Sequence, residues 1–377
     1  MDTTFFVSLG SLAIIKATPL VYGALCGILG ERSGVINIGI EGMMLFGAFM
    51  AFLGSALFNQ WTGAIFSPNL ALIIGLIVGV LSAALIASLH ALLSIHYKVD
   101  QVISGTVINL LAAGLTDYVA NVYIDPSHLS GVGVFPVIKI PILSNIPIIG
   151  KILFSHQPLV YLMFLLVIFM QYAIFNSQWG LRMRAVGEHP RAADTVGINV
   201  NRTRYINVIL GGALAGLGGA FLVLDSVGRF QKAMTAGSGF IALAVMIFGG
   251  WTAVGALGAA LLFGVSDALG VRLQFGDIND IYAMVTTLGI VFLAVGLLWL
   301  IGRIPKINKS RHSHIAIVGM LTLGVATLLI ANLVEFPAVV IPLEFLGLLP
   351  YILTILVLTG FVSKAVAPAA IGQPYEK

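Results

Sequence analysis

Residues 34–57 read Gly34-Val35-Ile36-Asn37-Ile38-Gly39-Ile40-Glu41-Gly42-Met43-Met44-Leu45-Phe46-Gly47-Ala48-Phe49-Met50-Ala51-Phe52-Leu53-Gly54-Ser55-Ala56-Leu57. A glycine-broken start with one amide and one carboxylate runs straight into an apolar stretch. Crossing a bilayer takes about 20 mainly apolar residues, and a chain in lipid must satisfy its own backbone polar groups, which favours the helix. The same ruler finds apolar runs near 5–29, 36–57, 69–93, 101–122, 158–176, 205–224, 255–271, 281–302, 314–334 and 346–365. A shorter piece, 236–249, runs into glycines. The expected fold is an all-α, polytopic transmembrane helical bundle of ten or eleven spans, occupying 1–377 as a single domain.

Composition agrees. Of 377 residues 59% are hydrophobic and 9% charged, where a soluble domain carries about a quarter charged residues. The mean hydropathy is +1.05. The 43 glycines suit membrane helices, which tolerate glycine better than soluble ones do. A soluble enzyme, a nucleic-acid binder and a disordered chain are excluded. The single cysteine, Cys26, lies in an apolar run and has no partner for an internal disulfide. The first residues, Met1-Asp2-Thr3-Thr4-Phe5-Phe6, lack a basic segment, and no A-x-A pattern closes the first run. That run therefore reads as a retained span and not a signal peptide.

Orientation follows the basic residues. The connection 177–204 holds Arg182, Arg184, Arg191, Arg202 and Arg204, and 303–313 holds Arg303, Lys306, Lys309 and Arg311. With both on the cytoplasmic side, the N-terminus lies outside and the C-terminus inside. Lys139, Lys151, Arg229, Lys232 and Arg272 then fall outside. This parity requires 236–249 to be a full crossing, which gives eleven passages. The external side carries a long proline-broken segment, 123–157, suited to the membrane surface.

A second glycine-broken start, Gly249-Gly250-Trp251-Thr252-Ala253-Val254-Gly255-Ala256-Leu257-Gly258, matches the first. Both precede an outward-running span on the cytoplasmic side. Broken helices at corresponding places mark duplicated transport folds with the pathway between the halves, so two pseudo-repeated halves are expected. Glycines such as Gly212, Gly216 and Gly219 serve close helix packing, and packing alone is the plainer account of either motif.

Residues 180–205 read GLRMRAVGEHPRAADTVGINVNRTRY. Pro190 suits the first position of a helix and Gly197 the position just past its end. The helix between them has about two turns, too few for stability alone in water. It needs a partner surface, and Ala192 and Ala193 would let it sit deep in a groove. An ordinary basic loop touching anionic lipid is the alternative.

The run from Arg184 to Ile198 resembles the cytoplasmic coupling loop of ABC importer permeases of the branched-chain amino-acid and ribose superfamily. Glu31-Arg32-Ser33-Gly34-Val35-Ile36-Asn37-Ile38-Gly39-Ile40-Glu41-Gly42-Met43 is similar to the permeases that import nucleosides and related simple sugars. Val102-Ile103-Ser104-Gly105 with Asn109 resembles that family's next motif, and Ala367-Pro368-Ala369-Ala370-Ile371-Gly372-Gln373-Pro374-Tyr375 its tail. The likeness covers 1–275 and 343–377. Residues 276–343 depart from it and read as a family-atypical insertion.

The resemblance implies a permease subunit that does no chemistry itself and sits multi-pass in a bacterial-type plasma membrane. It implies a second, related permease as partner, a cytoplasmic ABC ATPase on the coupling loops, and an extracellular substrate-binding lipoprotein delivering a nucleoside or sugar. No cofactor belongs to this chain, because ATP is bound by the partner subunit. Gly150-Lys151 lacks the rest of a phosphate-cradling loop, and Leu129-Ser130-Gly131-Val132-Gly133 only faintly matches the ATPase signature. The implied ATPase-coupling residues are Arg184, Gly187, Glu188, Pro190, Arg191, Ala192, Ala193 and Gly197.

Polar groups inside spans are the pathway candidates, since burying them in lipid is costly. Asn37 and Glu41 share a helix face, and Asn109 lies in the fourth span. Each either lines the translocation pathway or serves a structural hydrogen bond. His90 is expected at the interface, Asp117 and Asp225 near headgroup water, and Asp267 deeper with a partner. Lys16 has no explanation. Two rival classes are an ion-coupled secondary transporter and a membrane transferase, but the 15 acidic residues form no cluster for a metal or base. Branched-chain amino acids are the alternative solute.

Overall fold

The computed structural model of the protein describes residues 3–63, 65, 67–123, 132–275, 285–286, 289, 293, 321–330, 333 and 366–376. It is an all-α assembly. The helices are α1 (Thr3–Arg32), α2 (Ile40–Trp61), α3 (Pro68–Ala91), α4 (Gln101–Tyr123), α5 (Ile149–Leu153), α6 (Pro158–Asn176), α7 (Gln178–Glu188), α8 (Pro190–Thr195), α9 (Val200–Phe221), α10 (Ser238–Phe248) and α11 (Ala253–Phe275). A short apolar helix, α12, covers Leu321–Ile330. Wider π-type turns extend α3 over Leu92–His96 and α9 over Leu222–Val227.

Local chemistry sets the boundaries. Pro68, Pro158 and Pro190 open α3, α6 and α8, where a missing N–H costs nothing. The Ser177 hydroxyl accepts from Gly180 N at 3.1 Å to cap α7, and Asn199 Oδ1 accepts from Arg202 N at 2.9 Å to cap α9.

Among the described residues seven helices are long and apolar enough to cross a membrane: Phe6–Arg32, Ile40–Trp61, Pro68–His96, Gln101–Val122, Pro158–Asn176, Val200–Val227 and Ala253–Val271. They fall on the first seven long apolar runs of the sequence. The runs 281–302 and 346–365 and the basic stretch 303–313 lie outside the described residues, apart from isolated positions. So do 314–320 and most of the insertion 276–343.

The expected helical crossing at 236–249 is corrected. α10 has 11 residues, about 16 Å of helix against about 30 Å of hydrocarbon. It runs beside α1 in the same direction. A Cβ at Gly23 would stand 2.7 Å from Ala242 Cβ, one at Gly27 would stand 2.7 Å from Met246 Sδ, and Arg32 Nε donates to Trp251 O at 3.1 Å. The start of α10 thus lies about halfway along α1, and the non-helical stretch before it makes up the remaining length.

By packing, the chain forms two compact units, Met1–Ala13 with Phe263–Lys364 and Ile14–Leu262 with Ala365–Lys377. The smaller contains a cluster of Leu9, Ala13, Ala268 and Leu269. In the larger, α2, α3 and α9 pack backbone to backbone through small residues. A Cβ on Gly47 would lie 2.9 Å from Gly216 Cα, and one on Gly79 would lie 2.6 Å from Gly47 O. Such approaches hold helices together where lipid removes the hydrophobic drive. Exposed Leu81 and Leu85 of α3, Leu110 of α4 and Ile168 of α6 give these helices apolar outer faces suited to lipid.

The segment after α4 folds as a small hairpin. Ile138 pairs with His156 and Lys139 with Ser155, antiparallel. Burial pushes the His156 imidazole below its ordinary value, against the opposing pull of the Ile152 carbonyl.

Candidate functional site

The chain leaves helix between Arg32 and Ile40, and freed backbone groups there are taken up by side chains from three helices, α3, α4 and α9. Ile36 N donates to Gln101 Oε1 at 2.6 Å, and Arg204 Nε donates to Ser33 O at 3.2 Å. Asn109 closes a pair, donating from Nδ2 to Ile38 O at 3.0 Å and accepting from Gly42 N at 2.7 Å. His90 lies 3.0 Å from Ile36 O through Nε2 and 3.0 Å from Ser104 Oγ through Nδ1. A carbonyl only accepts, so Nε2 carries the proton and Nδ1 accepts from the serine. Backbone groups away from water need this complete pairing. Asn37 is buried here, with Nδ2 near Cys26 Sγ (3.6 Å) and Met43 Sδ (3.5 Å) and Oδ1 without a partner.

Glu41, one residue into α2, ties this break to the start of α10. Its Oε1 accepts from Thr235 Oγ1 at 2.6 Å and Gly237 N at 2.9 Å, and its Oε2 from Gly239 N at 2.6 Å. The carboxylate meets the first free N–H groups of a helix, where negative charge is favoured. A Cβ at Gly239 would stand 2.5 Å from the Glu41 backbone, so close seating requires glycine there.

The second break, Gly249–Thr252, closes on itself. Gly250 N bonds Ile247 O at 3.0 Å and Trp251 N bonds Met246 O at 3.1 Å. Trp251 takes φ +53°, a strained conformation for a bulky side chain. It is held from the end of α1: Trp251 Nε1 donates to Glu31 Oε2 at 2.6 Å, and Arg32 Nη2 reaches Gly250 O at 3.3 Å. The end of α1, which leads into the first glycine motif, thus holds the second.

The basic loop forms a helical hairpin of α7 and α8. Helix α8 ends with Ile198 N bonding Ala193 O at 3.0 Å and Gly197 N bonding Asp194 O at 2.9 Å, with Gly197 at φ +84°. That pair of bonds with a left-handed glycine is a standard helix stop. Gly187 is buried against α1, where an added Cβ would collide with the Arg32 carbonyl. The Arg184 and Arg32 guanidinium carbons lie 5.3 and 5.6 Å from the Phe175 ring centre.

Residues 366–376 strap this hairpin to the bundle. Ala370 N bonds Gly187 O at 2.9 Å, Gly372 N bonds Gly34 O at 3.1 Å, and Arg204 Nη1 donates to Gln373 O at 2.9 Å. Tyr375 packs on Val186, Ala193 and Val200. Lys98 Nζ meets Glu376 Oε1 at 2.7 Å, and this hydrogen bond, with the lysine's charge, holds the Glu376 carboxyl below its ordinary range.

With this geometry in hand, comparison with known proteins is informative. A family described as "branched-chain amino acid transport system / permease component" matches residues 11–295. The chain belongs to this permease family. It is similar to the nucleoside ABC transporter permease protein NupC of Lactococcus lactis, 35% identical over 97% of this chain and 95% of the relative. The guanosine ABC transporter permease protein NupQ of Bacillus subtilis is 36% identical over 97% and 95%. A second guanosine permease of Bacillus subtilis, NupP, is 28% identical over 74% and 79%. No solved structure matches. This permease is a multi-pass membrane protein and a transport component, not an enzyme.

The permease's sequence-named residues fall into two groups. In the hairpin, Glu188, Arg191, Ala192 and Gly197 are exposed and Pro190 half-buried, while Gly187 and Ala193 are buried and half-buried Arg184 lies against Phe175. Ala192 and Ala193 thus face opposite ways. Asn37, Glu41 and Asn109 all lie around the first break, and Glu41 and Asn109 are hydrogen-bonded there. His90, expected at the interface, is buried within the protein, 0% exposed. Asp225, expected near headgroup water, is likewise buried: it is 2% exposed and accepts from Leu159 N at 3.1 Å, at the start of α6. Asp117 is exposed and pairs with Lys232 at 3.0 Å. Sequence reasoning missed Arg204, Gln101, Thr235 and the Glu31–Trp251 bond. For Thr235 a signal existed, since Thr235-Ala236-Gly237-Ser238-Gly239 has the composition of a helix entry.

Proposed function

We propose that this permease imports nucleosides into the cytoplasm as one subunit of an ABC importer. It pairs with a second, related permease, is powered by a separate ATPase docked on α8, and receives solute from an extracellular substrate-binding lipoprotein. ATP stays with the ATPase, and this chain holds no cofactor. The hairpin 177–199 and residues 366–376 lie on the cytoplasmic side of a bacterial-type plasma membrane. The observation carrying this reading is the identity over nearly full length to permeases named for nucleosides and guanosine. That Bacillus subtilis holds two guanosine permeases related to this chain supports the pairing. The exposed face of α8 supports the docking, because a six-residue helix needs a partner surface.

The first test is co-purification of the tagged permease from its native membranes, followed by uptake of labelled guanosine into vesicles holding the recovered set. ATP-dependent uptake that unlabelled nucleosides compete away is the expected result. Competition by leucine and not by nucleosides would assign the solute to branched-chain amino acids. Recovery of the permease alone, with uptake driven by an ion gradient, would overturn the importer reading.

A further inference from the structure

Beside α8 lies an open cleft of about 830 Å³, lined on one side by Glu188, Pro190 and Ala192 and on the other by Ala369, Gln373 and Pro374. We propose that residues 369–376 form the second wall of the ATPase docking site, so that the ATPase seats against α8 and this segment together. The proposal rests on the docking of an ATPase at α8 and extends it to a part of the chain 181 residues away in sequence.

Three observations carry it. First, α8 cannot hold its own orientation. It has six residues, of which only Ala193 is buried, and a helix that short has no stability of its own. It leans on a cluster in which Ala193 meets Val186 of α7 and Val200 of α9, with Tyr375 of the segment packed against that cluster and the Ala370–Gly187 bond just before it. Any surface that recognises α8 as a rigid shape therefore recognises the segment as well.

Second, the segment is pinned along its length, to Gly187, Gly34, Arg204 and Lys98 in turn. Its bonds to Gly187, Gly34 and Arg204 are made by its own backbone groups. That leaves side chains of Ala369, Gln373, Pro374 and Glu376 exposed at the cleft. A segment of this composition ordered only for stability would have no reason to keep a wall open opposite α8.

Third, Glu188, at the end of α7 just before α8, bridges the two walls. It lines the cleft, and its Oε2 accepts from Ala369 N at 3.2 Å. The volume lies within the range of about 300–1,000 Å³ typical of binding pockets, enough for a few side chains of a protein loop. A load placed on both walls passes through Gly372 and Gln373 to Gly34 and Arg204, the edge of the first break, as well as through Gly187 to Arg32.

The test places a photo-crosslinking amino acid at Gln373, at Ala192 and at exposed Val366, outside the cleft, in the full chain expressed with its co-purifying partners. Crosslinks to the ATPase from positions 373 and 192, but not 366, are expected. A crosslink from 192 alone would overturn the two-walled site and leave docking on α8 intact. Crosslinks from neither would remove the docking reading itself, and one from 373 alone would overturn both. A filling variant, Gln373→Trp, provides an independent check, because its backbone bond to Arg204 is retained. ATPase recovered per permease should fall at least about tenfold while permease abundance and melting stay unchanged. Undiminished recovery would count against the cleft as the seat.

Discussion

Between Arg32 and Ile40 the open backbone is held by Gln101, His90, Asn109 and Arg204, which reach it from three helices, α3, α4 and α9. Between Phe248 and Ala253 the chain instead closes mainly on its own carbonyls, with Glu31 and Arg32 holding it from the end of α1 and Gln171 Oε1 accepting from Val254 N at 3.2 Å just beyond. The motifs look alike in sequence, with glycines bracketing a turn into an apolar helix. The first break is a property of the whole bundle and cannot shift without several elements shifting. The second is a compact corner tied mainly to the end of α1, with Gln171 of α6 at its exit. A load arriving at Gly187, packed on Arg32, reaches the second break through two residues. Gly187 also abuts Gly34 at the edge of the first break, but there the load meets a network. The contrast predicts that the α10–α11 corner yields more readily than the start of α2, with Glu41 joining them.

The substitution expected to do most damage is Glu41→Ala. It strands Thr235 Oγ1 and the amides of Gly237 and Gly239, and unsatisfied buried groups cost about 1–3 kcal/mol each, less than additively. A loss of about 3–5 kcal/mol should show as a large fall in melting temperature of the purified protein and loss of uptake. An unchanged melt would break the claim that the two starts are fastened together. Next, Asn109→Ala removes one donor and one acceptor from the first break and should cost about 2 kcal/mol, read from the same melt. A smaller effect is expected at the second break. Trp251→Phe keeps the ring and loses the bond to Glu31, about 1.5 kcal/mol, and should reduce ATP-driven uptake more than it reduces melting. If stability fell further than with Asn109→Ala, the contrast between a networked and a hinged break would be wrong.

The smallest effect concerns the strap over the first break. The folded Glu376 carboxyl sits below its ordinary range because of Lys98, so its contribution is present above the ordinary glutamate value of 4.5 and is lost as pH falls through the folded value. Hydrogen exchange in 366–376 should quicken modestly in acid, and Glu376→Gln should remove that pH dependence. Equal pH dependence in the variant would show that the pair does not hold the strap.

Much of the fold was legible because lipid allows few solutions. An apolar run of span length has to be a helix, and seven runs were placed within a few residues of their helices. At 236–249 the helix is shorter than the crossing the sequence called for. Charge parity counts how often the chain crosses, not how much of each crossing is helical, and an 11-residue helix preceded by irregular backbone satisfies the same parity. Pro190 and Gly197 announced α8 because each has a backbone reason for its place. Residues 366–376 could not be placed, since their bonds to Gly187 and Gly34 are made by main-chain atoms that leave no residue signature. Arg204 was counted among the cytoplasmic charges, yet it is 1% exposed. Composition cannot tell a guanidinium that faces water from one that fastens two carbonyls.

The strap also carries a consequence for the order of synthesis. Gly187 and Glu188 leave the ribosome long before Ala369 and Ala370, which follow after 181 further residues. All seven membrane-length helices among the described residues precede that point, so they are made before the second wall of the proposed cleft. On the two-walled seat proposed above, docking of the ATPase therefore waits on residues 369–376.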